Sequence, residues 1–127
     1  MANMVKKTSY AKNPKQIMIG QDSYYIALSG IISGTAGATM HAGQPLSGDI
    51  TDRDTGFKVG TADDSTGKTA CVGILLHDVV FDADGKANGT IVLAGCVDLL
   101  KLESSVQTAI SNATGLDRII FVKGSAI

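Results

Sequence analysis

ACVGILLHDVVFDADGKANGTIVLAGCV, residues 70–97, is the stretch whose reading decides the fold. Two apolar runs, 70–80 and 90–97, flank a polar stretch holding Asp84-Gly85 and Asn88-Gly89. Asp-Gly and Asn-Gly supply the positive φ angles of tight hairpin turns. Neither run alternates cleanly between apolar and polar side chains, so each reads as a strand buried on both faces. Together they predict a β-hairpin of two apolar strands.

C-terminal to the hairpin, the spacing predicts a helix over about 99–113. Leu102, Val106, Ala109, Ile110 and Ala113 fall along one helical face. Asp98 is the expected N-cap and Gly115 the expected C′ residue. The sequence RIIFV, residues 118–122, then reads as a short strand.

On the N-terminal side, QIMIGQDSYYIAL (16–28) gives two short β-like runs, 17–19 and 24–28, around a polar turn. Residues 29–43 carry glycine at 30, 34, 37 and 43, too dense for a helix at about 1 kcal/mol per Gly relative to Ala. A flexible linker and a closely packed chain anchored by Ile31, Ile32 and Met40 are both compatible with this composition. Residues 41–60 read as turn, short strand, turn, short strand, and 61–69 as a polar loop.

The chain has 127 residues, of which 44% are hydrophobic, enough for one domain with its own core. Fifteen glycines, two prolines and no tryptophan suit short strands and tight turns with small side chains. The expected fold is mainly β: a small barrel- or sandwich-like domain with one short helix near the C-terminus. No apolar run reaches about 18 residues, so no transmembrane helix is expected. The first twenty residues lack an apolar h-region, so no secretory signal is expected. Cys71 and Cys96 each sit in an apolar run and read as buried thiols, with a bridge possible only if their strands are neighbours.

Charge divides the chain into an arm, 1–16, and a body, 17–127. The arm holds Lys6, Lys7, Lys12 and Lys15 and no acid, a charge of +4. The body holds the other 7 basic and all 12 acidic side chains, a charge of −5. The arm reads either as a solvated terminus or as a segment docking on an acidic protein surface. Lys6, Lys7, Tyr10, Lys12 and Lys15 are the candidate contact residues. Nucleic acid is not an expected partner, because four lysines and one tyrosine make a small electrostatic footprint that the acidic body opposes.

Catalytic and metal patterns fit poorly. Counted as a calcium loop from Asp82, position 5 is Lys86, position 6 is Ala87 and position 12 is Leu93, where oxygen ligands and a glycine are needed. Asp49, Asp52 and Asp54 enclose Arg53 and read as a solvated acidic loop. His77 and Asp78 are adjacent on a strand, so their side chains point to opposite faces. His41 lies in the glycine-rich stretch. No Gly-x-Ser-x-Gly elbow and no phosphate-binding loop occur in the sequence. The expectation is a non-enzymatic module without metal or cofactor. Its apolar strands exceed what one small sheet would hide, which suggests burial between subunits.

Three segments, HAGQPLSGDITDRDTGF (41–57), VGILLHDVVFDADGKANGTIVLAGCVDLLKL (72–102) and TGLDRIIFVKG (114–124), resemble tailed-bacteriophage capsid decoration and head-fibre base proteins. The shared order is an Ala-Gly-x-Pro-Leu turn, an acidic loop and a Val-Gly-Ile-Leu-Leu-x-Asp-Val strand. A hairpin, a Val-Asp-Leu exit into a helix and a closing Ile-Ile-Phe strand follow. The resemblance covers 41–124 and leaves the first forty residues poorly matched. It implies a homotrimer on the outside of an icosahedral head. The partner would be the major capsid protein, with other head proteins as further candidates, and attachment would run through the N-terminal segment. No membrane partner is expected. The implied location is the virion exterior, after synthesis in the host cytoplasm. A β-rich module binding host surfaces or carbohydrate is the alternative, although the few aromatic residues disfavour sugar stacking.

Overall fold

The structure is a computed structural model and describes residues 17–18 and 25–123. Its strands are β1 (Ile26–Ser33), β2 (Thr39–Met40), β3 (Pro45–Leu46), β4 (Thr69–Ala70), β5 (Gly73–Leu75), β6 (Val79–Val80) and β7 (Lys86–Asp98). A 3₁₀ turn (Leu99–Lys101), helix α1 (Ser104–Ser111), β8 (Ala113–Thr114) and β9 (Ile119–Val122) follow. The protein is mainly β, with one α-helix among the described residues.

β7 is the spine. Its 13 residues extend about 40 Å at roughly 3.3 Å each. β1 and β5 run antiparallel to it, β9 runs parallel to it, and β3 pairs with β5. The sheet then curls back on itself. Ser47, just past β3, exchanges backbone hydrogen bonds with Lys58 (2.7 and 3.0 Å). The neighbouring Phe57 donates its N–H to Ile31 O and accepts from Ser33 N, both at 2.8 Å. Residues 57–58 thus join β3 to β1 and close a small barrel.

The barrel interior holds Ile32, Leu46, Phe57, Leu75 and Ile91, all fully buried, with Phe81 at its edge. A second core covers the other face of the sheet. There Ile17, Ile74, Val92 and Val97 pack with Ile119 of β9 and with Leu102 and Val106 of the helical segment. Adjacent β7 residues serve opposite cores, Ile91 the first and Val92 the second. The phase inverts before Val97, which also faces the second core. The register supplies the reason: Ala27 pairs with Val92 and Ile26 with Ala94, so Leu93 is the extra residue of a β-bulge.

The predicted hairpin is present, but its first strand is broken. Ile74 and Leu75 pair with Val92 and Ile91 as expected for a hairpin. After Leu76 the chain leaves β7, and Val79–Val80 pairs instead with Thr39–Met40. The turn forms at Asp84-Gly85 only: Gly85 has φ +74 and donates to Asp82 O, whose side chain accepts from Asp84 N and Lys86 N. Asn88 and Gly89 lie inside β7, because Gly89 pairs with Gly30 and a Cβ there would come within 2.9 Å of Ile32.

The predicted helix is shorter than 99–113. Leu102 is extended (φ −100, ψ 151) and divides it into the 3₁₀ turn and α1. Asp98 does cap, accepting from Leu100 N, but it caps the 3₁₀ turn. Asn112, not a residue next to Gly115, ends α1, and β8 follows it directly. β9 matches the predicted strand. The glycine-rich stretch is closely packed at Gly30 and Gly34 and open at Gly37. A Cβ at Gly30 would lie 2.8 Å from the Phe57 ring, one at Gly34 would lie 2.5 Å from the Phe81 ring, and one at Gly37 would meet nothing within 4 Å.

Phe57→Ala should therefore lower unfolding free energy by about 3–5 kcal/mol in urea titration, the range for emptying a buried aromatic site. Gly30→Ala should cost about 1–3 kcal/mol by overpacking the same ring.

Candidate docking surface

The side of the sheet that lines the barrel does not stop at the barrel mouth. Ala27 packs on the second core, so its neighbour Ile26 points to the barrel side of the sheet, beyond the last barrel residue. Ile26 stands opposite Ala94, and Ile120 stands opposite Cys96. Ile119 and Phe121 face the second core, which sets Ile120 on the same outer face as Ile26. Ile26 is 63% exposed and Ile120 64%, while Ala94 and Cys96 are half-buried between them. Three adjacent strands thus present an apolar strip of Ile26, Ala94, Cys96 and Ile120 that no other described element covers. It is the continuation of a core-forming face, left open where residues 57–58 no longer cross the sheet.

The five predicted contact residues, Lys6, Lys7, Tyr10, Lys12 and Lys15, lie outside the described residues. Ile17 and Met18, the first described residues of the body, are anchored at the end of β7. Asp98 donates its N–H to Ile17 O (3.0 Å), and Val97 pairs with Met18 on one edge and with Phe121 on the other. The arm therefore joins the body at the end of β7 that carries the strip. The strip itself was legible only in part: the excess of apolar strand residues was visible, but not which of them stay uncovered.

Asp49, Asp52 and Asp54 are exposed, and the first two serve their own loop. Asp49 accepts from Thr51 N (2.9 Å) and Thr51 Oγ1 (2.6 Å), and Asp52 accepts from Thr55 Oγ1 (2.6 Å). Asp63 is held in the same way by Ser65. The hydroxyl bonds, then the backbone bonds, draw the Asp49 and Asp63 carboxyls below the pKa of a free aspartate. No three metal-ligating side chains gather among the described residues.

His77 is exposed, and Asp78 turns away from it to His41, with Nδ1 to Oδ2 at 3.5 Å. Asp78 Oδ1 also accepts from Ala42 N at 2.7 Å. This pairing was hidden in the sequence, since 36 residues separate the partners. It fastens the chain after β2 to the break between β5 and β6. His41 borders an open groove of about 570 Å³ with Met40, Lys58, Val59 and Ser105.

Both cysteines are free thiols. Cys71 is buried, and that burial pushes its pKa up against an opposing hydrogen bond from Ser47. Among the described residues no helix is long and apolar enough to cross a membrane. No protein family, curated protein or solved structure matches this chain.

Two measurements check these assignments. Carbon-detected titration should place Asp49 below an ordinary aspartate, and Thr51→Val should move it upward by removing the largest cause. A depressed folded-state pKa means that any stabilisation from Asp49 is present above the unfolded pKa and is lost as pH falls through the folded one. Near neutral pH a soluble maleimide should label Cys96, on the strip, before Cys71.

Proposed function

We propose that this chain is a structural virion protein that binds the outer surface of a phage capsid and decorates or stabilises the head. It would act as an auxiliary capsid protein or as the base of a head fibre. The observation that carries the reading is the strip of Ile26, Ala94, Cys96 and Ile120, which continues a core-forming face of the sheet and carries two exposed isoleucines. An exposed apolar surface of this kind marks a site of protein contact.

Two further observations support it. The segments that resemble decoration proteins supply the barrel and its extension apart from β1: 41–57 contains β3 and Phe57, 72–102 contains β5 to β7, and 114–124 contains β9. In addition, the basic arm joins the body beside the strip, so charge and apolar surface would address one partner together.

The mechanism is linkage, not turnover. A protein that binds the assembled shell more tightly than free capsid subunits stabilises the shell by mass action. A trimer would multiply weak contacts through effective concentration, so four lysines per arm act together with those of its neighbours. The major capsid protein is the proposed partner and the virion exterior the proposed location.

The test is co-sedimentation of the purified full chain with heads of the phage that encodes it. The wild-type chain should pellet with heads, less so as salt screens the arm. Replacing Lys6, Lys7, Lys12 and Lys15 by Glu should abolish pelleting while the far-ultraviolet circular dichroism stays unchanged. Undiminished pelleting of this variant would remove the arm from the mechanism, and no pelleting of the wild type would overturn the reading.

A further inference from the structure

Among the described residues the outer edge of β9 is open. β9 pairs with β7 on one side and with no other described strand. Arg118 O accepts from Gly95 N, so in this parallel ladder the even-numbered residues bond β7. The backbone groups of Ile119, Phe121 and Lys123 consequently point away from the sheet. Ile119 N–H is already used, donating to Leu116 O at 3.0 Å. The Phe121 N–H and the Ile119 and Phe121 carbonyls have no ladder partner among the described residues.

An edge with an exposed isoleucine and unpaired backbone groups is a template for another strand. Natural edges are protected by charges, and here Arg118 and Lys123 flank the apolar residues. The same charges select the occupant. We infer that this edge pairs with β9 of a second copy of this chain, antiparallel across a two-fold axis at Ile120.

The register follows from which groups face outward. Antiparallel partners must both face the shared edge or both face away from it. Any axis through a residue satisfies this rule, and the two nearest the middle of β9 are Ile120 and Phe121. Centring on Phe121 sets Lys123 opposite the buried Ile119. Centring on Ile120 sets Ile120 against its own copy and Arg118 against Val122, and brings Lys123 to the turn that holds the second copy's Asp117. Opposite charges then meet at both ends of the pairing, and the most exposed side chain of the strand meets itself. The Phe121 N–H of each copy donates to the Ile119 carbonyl of the other, so the occupied Ile119 N–H is not needed.

Pairing of this kind is isologous and closes on itself. It also joins two strips edge to edge, so that Ile26, Cys96 and Ile120 of both copies form one continuous apolar surface. Any three-fold contact elsewhere on the molecule would leave this link intact and give particles with an even number of chains.

The inference is independent of shell binding and is tested on the free protein. Side chains directly opposite at a non-hydrogen-bonded pair lie about 4.5–5.5 Å apart at Cβ, near disulfide reach. The full chain carrying Ile120→Cys should therefore form a covalent dimer under mild oxidation. Val80→Cys, at a side chain equally exposed (65%), should not. Light scattering should give an even multiple of the 13.1 kDa chain mass, and Ile120→Lys should halve it. No cross-link at position 120, equal cross-linking at position 80, or an unchanged mass in Ile120→Lys would overturn it. Failure of any of these leaves the head co-sedimentation result unaffected.

Discussion

The Phe57 ring inside a closed sheet is the interaction on which the rest depends. Its backbone bonds to β1, and its neighbour Lys58 bonds to Ser47 beyond β3, so one dipeptide completes the ring of strands. The ring leaves no room for side chains around it. Besides Gly30, a Cβ at Gly48 would approach it to 2.5 Å. Burial of a phenyl group and pairing of the backbone beside it are therefore the same event. Without that closure Ile32, Leu46 and Ile91 would lose the wall that excludes water from them.

Closure also defines where the body is unfinished. β1 and β7 are longer than the barrel they form, and the bulge at Leu93 lets β7 pass from one core to the other without interruption. Past that bulge the described residues cover only one face, with Ile119, Phe121 and the helical segment. The opposite face carries Ile26 and Ile120 into solvent. The proposed shell contact and the proposed two-fold edge both arise there, from strands that outrun their own core. Ile17 and Met18 pair at the same end, so apolar surface, open backbone and the attachment point of the N-terminal sequence lie together.

The acidic loops show a different economy. Asp49, Asp52 and Asp63 bend their own turns through nearby hydroxyls, and Asp78 ties two distant loops together. Each carboxylate has a structural partner within its loop or across a loop boundary. The acidic residues thus shape the connections between short strands, and they also give the body its charge of −5 against the arm.

Local signals determined a good deal. The apolar runs around Asp84-Gly85 specified the pairing of β5 with β7, because a positive φ at Gly85 and apolar strands on either side are both local requirements. The β-branched RIIFV specified β9, Asp98 specified a cap, and the glycine spacing admitted the close ring contacts that Gly30 and Gly34 make. The tertiary structure alone decided the rest. Asn88-Gly89 has the same turn chemistry as Asp84-Gly85, yet it lies in β7 because Ile32 of β1 packs against Gly89. Residues 70–80 became three strands because Val79 and Val80 found Thr39 and Met40, some 40 residues away. Ile26 and Ile120 look like core residues in the sequence, and only the position of the barrel mouth leaves them outside. Hydrophobicity states that a side chain gains by leaving water; which neighbour covers it is a property of the closed chain.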